Sequence, residues 1–264
     1  MADRTVGALY AQSAGQVNVV KSTFERNQAE SAYGALGIGG EIDSQGEYVG
    51  LVSVVQSTFL DNETGGWGGA IGTVTACKEF EIRDSVFKRN RSQGIGGGAL
   101  FLCAPGGRYA IYNSWFEENE EGAESGGAGG AIYNGVPVPL EVNGSTIIRN
   151  HAQCDGGAIL GILSGIKESL FENNSGNFNF VDDDSCGIIG SGNQMVTSPK
   201  LGPLRDNGGA VPTRKPRGNS PLVDAIDTYA CYPYAVVEDA RGVSRPQRKR
   251  CDIGAVGVGS ARKR

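Results

Sequence analysis

A single histidine, His151, stands in the 264 residues. That leaves little for a histidine-rich metal site or a repeated imidazole base. No two cysteines are spaced Cys-x-x-Cys, which excludes the common zinc spacings. No Gly-Gly pair is followed by Gly-Lys-Ser/Thr, which excludes a phosphate-binding loop. No apolar stretch approaches the roughly 18 to 20 residues of a membrane-spanning helix, and the opening MADRTVGALYAQ lacks the charged and apolar regions of a signal peptide. The formal charge is −5 with a pI near 5.1, and the first 200 residues hold no basic run. Nucleic acid and anionic membrane surfaces are therefore not expected partners, and neither a metal nor a cofactor is implied.

Glycine is abundant, at 42 residues, without the strict three-residue period of collagen. Such a chain turns very often. Six cysteines fit an oxidising compartment, although they are too sparse to be the framework of the fold. Val6-Gly7-Ala8-Leu9 already reads as the middle of a repeat. The chain is thus expected to be part of a longer, exported polypeptide, with a cytosolic protein carrying free thiols as the alternative. Six cysteines allow many pairings. Cys77 and Cys103 each follow a Gly-Gly-Ala phrase, so they could meet on adjacent coils. Cys231 with Cys251 would then close the C-terminal segment and leave Cys154 with Cys186.

The informative feature is a repeat. STFERN (22–27), STFLDN (57–62), SVFKRN (85–90), SWFEEN (114–119), STIIRN (145–150) and SLFENN (169–174) share Ser, Phe or Ile, and Asn at fixed offsets. Their asparagines are 35, 28, 29, 31 and 24 residues apart, a drifting period that suits coils with variable loops. Between them recur GGEI (39–42), GGAI (68–71), GGAL (97–100), GGAI (129–132) and GGAI (156–159). The segments before each phenylalanine alternate, as in Val52-x-Val54, Phe80-x-Ile82 and Tyr109-x-Ile111, with no helical stripe. The expected fold is all-β: a right-handed parallel β-helix over residues 1–190, with an irregular C-terminal cap over 191–264.

In stacked parallel coils, period 2 places Phe24, Phe59, Phe87, Phe116, Ile147 and Phe171 in one inward column, with the serine two residues earlier on the same face. Asn27, Asn62, Asn90, Asn119, Asn150 and Asn174 are expected at one turn as a hydrogen-bonded ladder, their amides tolerating left-handed backbone. The residues before them, Arg26, Asp61, Arg89, Glu118, Arg149 and Asn173, would form an outward row of alternating charge that sets register and offers no groove to a polyanion.

The five Phe-x-x-Asn matches interleaved with GGAI or GGAL resemble the repeats of chlamydial polymorphic membrane proteins, over about residues 7 to 175. Ile147 and Glu41 depart from that pattern. Ser198-Pro-Lys-Leu-Gly-Pro-Leu-Arg-Asp-Asn-Gly-Gly209, Asn219-Ser-Pro-Leu-Val-Asp-Ala-Ile226, Asp239-Ala-Arg-Gly-Val-Ser-Arg-Pro246 and Cys251-Asp-Ile-Gly254 resemble the closing segment of choice-of-anchor Q domain proteins. Both resemblances imply a β-helical protein that is secreted or held at the cell surface.

The expected function is that of a non-catalytic, adhesin-like surface scaffold contacting a glycan, a host or a neighbouring cell. Trp67, Tyr112 and Trp115 are its candidate contact residues. The alternative is a polysaccharide lyase or hydrolase acting on acidic glycans along the flank, with His151, Asp182, Asp183 and Asp184 as its only candidate groups. Arg241, Arg245, Arg248, Lys249 and Arg250 form a basic cluster, read as a solvated loop or a partner for the aspartate triplet.

Overall fold

The computed structural model describes residues 6–12, 15–39, 41–42, 44, 48–73, 77–103, 107–123, 128–135, 138–161, 163–167, 169–172, 174–177, 194–195, 199–225 and 238–259. They contain strands and turns and no helix. Four parallel sheets form a β-solenoid whose chain visits them in a fixed order. A long-strand sheet stacks Gln16–Val20, Leu51–Val55, Glu79–Arg83, Arg108–Tyr112, Leu140–Asn143 and Leu163–Lys167. A phenylalanine sheet follows, with Thr23–Glu25, Thr58–Leu60, Val86–Lys88, Trp115–Glu117, Thr146–Ile148, Leu170–Glu172 and Gln194–Met195. Next comes a sheet of mostly two-residue strands, from Gln28–Ala29 to Ser175–Asn177. A glycine sheet closes each coil with Leu9–Gln12, Leu36–Gly39, Ile71–Thr73, Leu100–Leu102, Ile132–Asn134 and Ile159–Gly161.

The inward column is packed face to face. The rings of Phe24, Phe59, Phe87 and Phe116 follow one another at 4.8, 4.8 and 4.7 Å with interplanar angles of 2° to 3°. Parallel pairing at one strand spacing holds successive rings parallel at that spacing, a centroid distance within the range that stacked aromatic pairs favour. Val54, Ile82, Ile111 and Val142 from the long strands and Ile71, Leu100, Ile132 and Ile159 from the glycine sheet complete the dry interior.

Two corners bracket each phenylalanine strand, and both use left-handed backbone. Lys21, Gln56, Asp84, Asn113 and Gly144 precede the serines with φ between 49° and 57°, and Arg26, Asp61, Arg89, Glu118 and Arg149 precede the asparagines with φ between 50° and 56°. The expectation that the asparagines themselves take this conformation is corrected: the outward residue before each does. Left-handed backbone costs a non-glycine residue roughly 1 to 3 kcal/mol, and hydrogen-bonded ladders inside each corner offset it. Asn62 Nδ2 donates forward to Asn90 Oδ1 (2.8 Å) and back to the Phe24 carbonyl (3.0 Å), while its Oδ1 accepts the Asn27 side chain and backbone N–H (2.8 and 3.1 Å). The same bonds repeat through Asn90, Asn119, Asn150 and Asn174. A serine ladder runs parallel, each backbone N–H donating to the next coil's Oγ at 3.1 to 3.2 Å.

Register corrects one phrase. Ile71 pairs with Leu36, so Gly34-Ala35-Leu36 is the first-coil equivalent of Gly69-Ala70-Ile71. Glu41–Ile42, inside the GGEI phrase, instead pairs antiparallel with Tyr48–Val49. The double glycine has two separate causes. At Gly97, φ is 64° and a Cβ would lie 1.9 Å from the Leu100 carbonyl; at Gly98 it would lie 2.1 Å from the Gly130 carbonyl of the next coil.

The described part of the C-terminal segment lies along the flank. Val211, Leu222, Ala240, Cys251, Ile253, Ala255 and Val256 pack on Val86, Trp115, Ile148 and Leu170, the outward apolar residues of the phenylalanine sheet. Arg241 and Asp239 form a buried ion pair inside it, with Arg241 also donating to the Gly257 and Gly259 carbonyls. Arg245 donates to the Asp252 and Gly254 carbonyls. These two arginines are therefore internal struts, which corrects their reading as a solvated cluster. Arg248, Lys249 and Arg250 are exposed.

Candidate functional site

The glycine sheet turns an aromatic strip to the outside. Alternation places Leu36, Ile71, Leu100 and Ile132 inward, so the next residue in each strand, Gly37, Gly72, Phe101 and Tyr133, faces out with Tyr10 in the same row. Phe101 stacks on Tyr133 with centroids 5.4 Å apart and on Trp67 at 5.7 Å, the planes tilted by 14° and 20°. Where the row holds glycine, Tyr33 fills the space: a Cβ on Gly72 would lie 1.9 Å from its ring, and one on Gly37 would touch both Tyr33 and Tyr10 at 2.6 Å. Burial, ahead of the neighbouring Tyr10 and Cys103, pushes the Tyr33 phenol well above its ordinary pKa. The strip thus has a buried floor, Tyr33 and Phe101, and an exposed rim: Tyr10 at 45%, Trp67 at 40% and Ile95 at 52%. Its chemistry is apolar ring face with phenol hydroxyls at the edges, on a backbone held by ladder bonds from both neighbours.

Trp67 is the one proposed contact residue that the structure leaves accessible, and it is not isolated, since Phe101 backs it. Trp115 is 1% exposed. Period 2 does place it outside the coil, but the C-terminal segment packs over it, and its indole N–H donates to Glu117 at 3.0 Å. Tyr112 is also buried: its hydroxyl donates to Glu141 at 3.1 Å, and the Arg83 guanidinium covers its ring at 4.4 Å. Burial and the Glu141 carboxylate push that phenol up to about 12. Neither residue offers a ring face to a ligand.

His151 is exposed, with Nδ1 2.9 Å from Ser175 Oγ. Glu120 is its register neighbour on the preceding coil, but that carboxylate pairs with Arg91 at 3.4 Å. Among the described residues no carboxylate is bonded to the His151 ring, so no orienting acid accompanies the His–Ser contact there. Asp182, Asp183 and Asp184 lie outside the described residues. Among the described residues no cluster of His, Cys, Asp and Glu could hold a metal ion. Along the charged row, Arg89 grips Asp61 through two bonds of 2.6 and 2.8 Å and Arg149 reaches Glu118 at 3.4 Å, whereas Arg26 pairs with Glu25. Of the cysteines, Cys77 and Cys103 are free thiols, which corrects the expected bridge between them. Cys251 is disulfide-bonded. Cys186 and Cys231 lie outside the described residues, as does the side chain of Cys154.

Tyr10, Tyr33, Phe101 and Tyr133 were not marked by sequence reasoning. The signal was the residue following the inward Ile or Leu of each Gly-Gly phrase, which period 2 sends outward: Phe101, Tyr133 and Leu160 are large and apolar there. No helix of the described residues is long and apolar enough to cross a membrane. Comparison of the chain with protein-family models, with curated proteins and with solved structures finds no match, so what stands is the fold: a parallel β-solenoid.

Proposed function

We propose that the chain is a non-catalytic, adhesin-like scaffold of the cell surface or the extracellular space that contacts glycans through the aromatic strip of its glycine sheet. The observation that carries this reading is the stacked series Trp67, Phe101 and Tyr133, with Tyr10 exposed in the same row of a rigid rod. Exposed rings on a fixed platform suit the C–H faces of pyranose units, because the ring's negative face attracts polarised C–H groups and apolar contact is made with little loss of side-chain freedom. The resemblances to choice-of-anchor Q domain proteins and to chlamydial polymorphic membrane proteins support the location. The test is titration with neutral oligosaccharides, monitored by Trp67 fluorescence and calorimetry. The reading predicts binding that Trp67→Ala and Tyr10→Ala each weaken; equal binding by the wild type and the double variant would sink it.

A further inference from the structure

We propose that the hairpin of the C-terminal segment carries a second, separate site for a sulfated polysaccharide, formed by Arg205, Lys215 and Arg217. The charge distribution motivates the search. Residues 1–198 carry 11 Lys or Arg against 23 Asp or Glu, and residues 199–264 carry 13 against 6, giving formal charges of −12 and +7. The two regions meet at the flank of the phenylalanine sheet, where Arg214 is neutralised by Glu117 at 2.9 Å. The next residue is not neutralised.

Antiparallel pairing of Leu201–Arg205 with Thr213–Pro216 frames a pocket of about 310 Å³ lined by Gly202, Pro203, Arg205, Lys215, Pro216 and Arg217. The lining holds three cations and no carboxylate. Arg205 and Arg217 are exposed, and neither they nor Lys215 forms an ion pair among the described residues. Lys215 Nζ donates to the Gly259 carbonyl at 2.7 Å, which fixes the amine without balancing its charge. Its ammonium form is disfavoured by burial, then by Arg241, with Arg205 and Arg248 adding to the repulsion and only Asp239 opposing it. Since Asp239 is already engaged by Arg241, the cluster is an unbalanced concentration of positive charge on an acidic protein.

The shape of the site selects the partner. Pro203 and Pro216 give rigid apolar walls beside the cations, so a sugar ring can lie against them while its substituents meet the guanidinium forks. Three cations in so small a volume match a ligand with several charges per disaccharide, which a sulfated chain carries and a simple uronate chain does not. The strongly acidic rod around the patch disfavours a long duplex or a flat anionic bilayer, both of which need many contacts at once. The site belongs to the segment that packs on the phenylalanine sheet, shares no residue with the aromatic strip and does not rest on the aromatic-strip reading.

The probe is a heparin dodecasaccharide, titrated by calorimetry against the whole chain at two salt concentrations. Wild type should bind, with affinity falling as salt rises. Arg205→Ala with Arg217→Ala should weaken binding roughly tenfold or more at unchanged thermal midpoint, since both side chains are exposed. Trp67→Ala should leave heparin binding intact, so loss of the aromatic-strip function and loss of this site are separable. Chemically desulfated heparin should not bind. Unchanged heparin affinity in the double arginine variant, or equal affinity for desulfated heparin, duplex DNA of matched charge or phosphatidylserine vesicles, would overturn the assignment.

Discussion

Arg214 closes on Glu117: its Nη2 lies 2.9 Å from Glu117 Oε1, and its Nε lies 3.1 Å from both carboxylate oxygens. The two residues are 97 apart in sequence and join the C-terminal segment to the rod. Glu117 is fully buried, and it also receives Lys88 at 3.3 Å, Arg149, and the Trp115 indole N–H. One buried carboxylate thus serves three cations, two from neighbouring coils and one from the covering segment.

Replacing Glu117 by Gln should therefore loosen the segment from the rod. Burial alone would raise the carboxyl pKa, but the bonds from Arg214 and the charges of Lys88 and Arg149 outweigh it and hold the group at about 2, against an ordinary 4.5. A pKa lowered by folding means stability that is complete above about 4.5 and is lost as pH falls through 2. The expected cost of Glu117→Gln near neutral pH is roughly 3 to 5 kcal/mol, because among the described residues Arg214 loses its one carboxylate partner, while Lys88 and Arg149 keep only their longer 3.4 Å pairs with Glu118. Urea denaturation should show the gap between variant and wild type narrowing below pH 4.5, and limited proteolysis should open residues 199–259 first. A pH-independent gap would place the effect in packing instead.

The asparagine ladder should be strongest in its middle. Asn90 accepts two bonds from Asn62 and donates to Asn119 and to the Phe59 carbonyl, all buried. Asn90→Ala leaves several of those partners unpaired, each at about 1 to 3 kcal/mol before relaxation. Asn27 donates to Asn62 through its side chain and backbone N–H at a partly exposed coil. Asn27→Ala should cost less than half as much by thermal or urea unfolding, and equal costs would argue that the ladder is not cooperative. Asn62 and Asn143, which head N-x-Ser/Thr sequons, are likewise buried, so mass spectrometry of the protein expressed through the secretory route of a glycosylating host should find no glycan on either.

Much of the rod was legible because one residue's address in the repeat decides its direction. Phe59, Phe87 and Phe116 are fully buried, in the column their spacing implies. Left-handed backbone was misplaced because Arg26, Arg89, Glu118 and Arg149 are chemically unlike the residues that usually adopt it, Asp61 alone being of a favoured type; stacking, not local preference, imposes it along the row. Trp115 was misread because a strand's outer face is exposed only if nothing covers it. The position between Ser and Phe, or Ile147 in the fifth phrase, reads Thr, Thr, Val, Trp, Thr, Leu along the coils, and its apolar members Val86, Trp115 and Leu170 were the available sign of a covering segment.

The two tryptophans should accordingly separate stability from contact. Trp115 is packed among Ile148, Val211 and Ile253 and bonded to Glu117, so Trp115→Ala should cost about 3 to 5 kcal/mol. Trp67 is backed on one face only, and Trp67→Ala should cost about 1 kcal/mol or less while removing the exposed ring. Calorimetric melts of the two variants test the order. A larger loss for Trp67→Ala would mean that the strip is a structural seam and not a free surface.

Thiol reactivity distinguishes the free cysteines from each other and from the bridged one. Cys77 is 1% exposed, and burial pushes its thiol up to about 11, with the Tyr109 hydroxyl at 3.9 Å pulling only weakly the other way. At pH 8 that leaves roughly a thousandth of it as the reactive thiolate, behind a wall of core side chains. Cys103 is only partly buried, at the mouth of the same core. Iodoacetamide on the folded, unreduced protein should therefore label Cys103 within the time that leaves Cys77 intact, while denaturant should equalise the two. Cys251 should resist until a reductant is added, because it is disulfide-bonded. Peptide mapping reads all three at once. A Cys77–Cys103 cross-linked peptide under non-reducing conditions would restore the bridge expected from the repeat and contradict the free thiols, whereas rapid labelling of native Cys77 would mean that the interior beside Tyr109 opens on the time scale of the reaction.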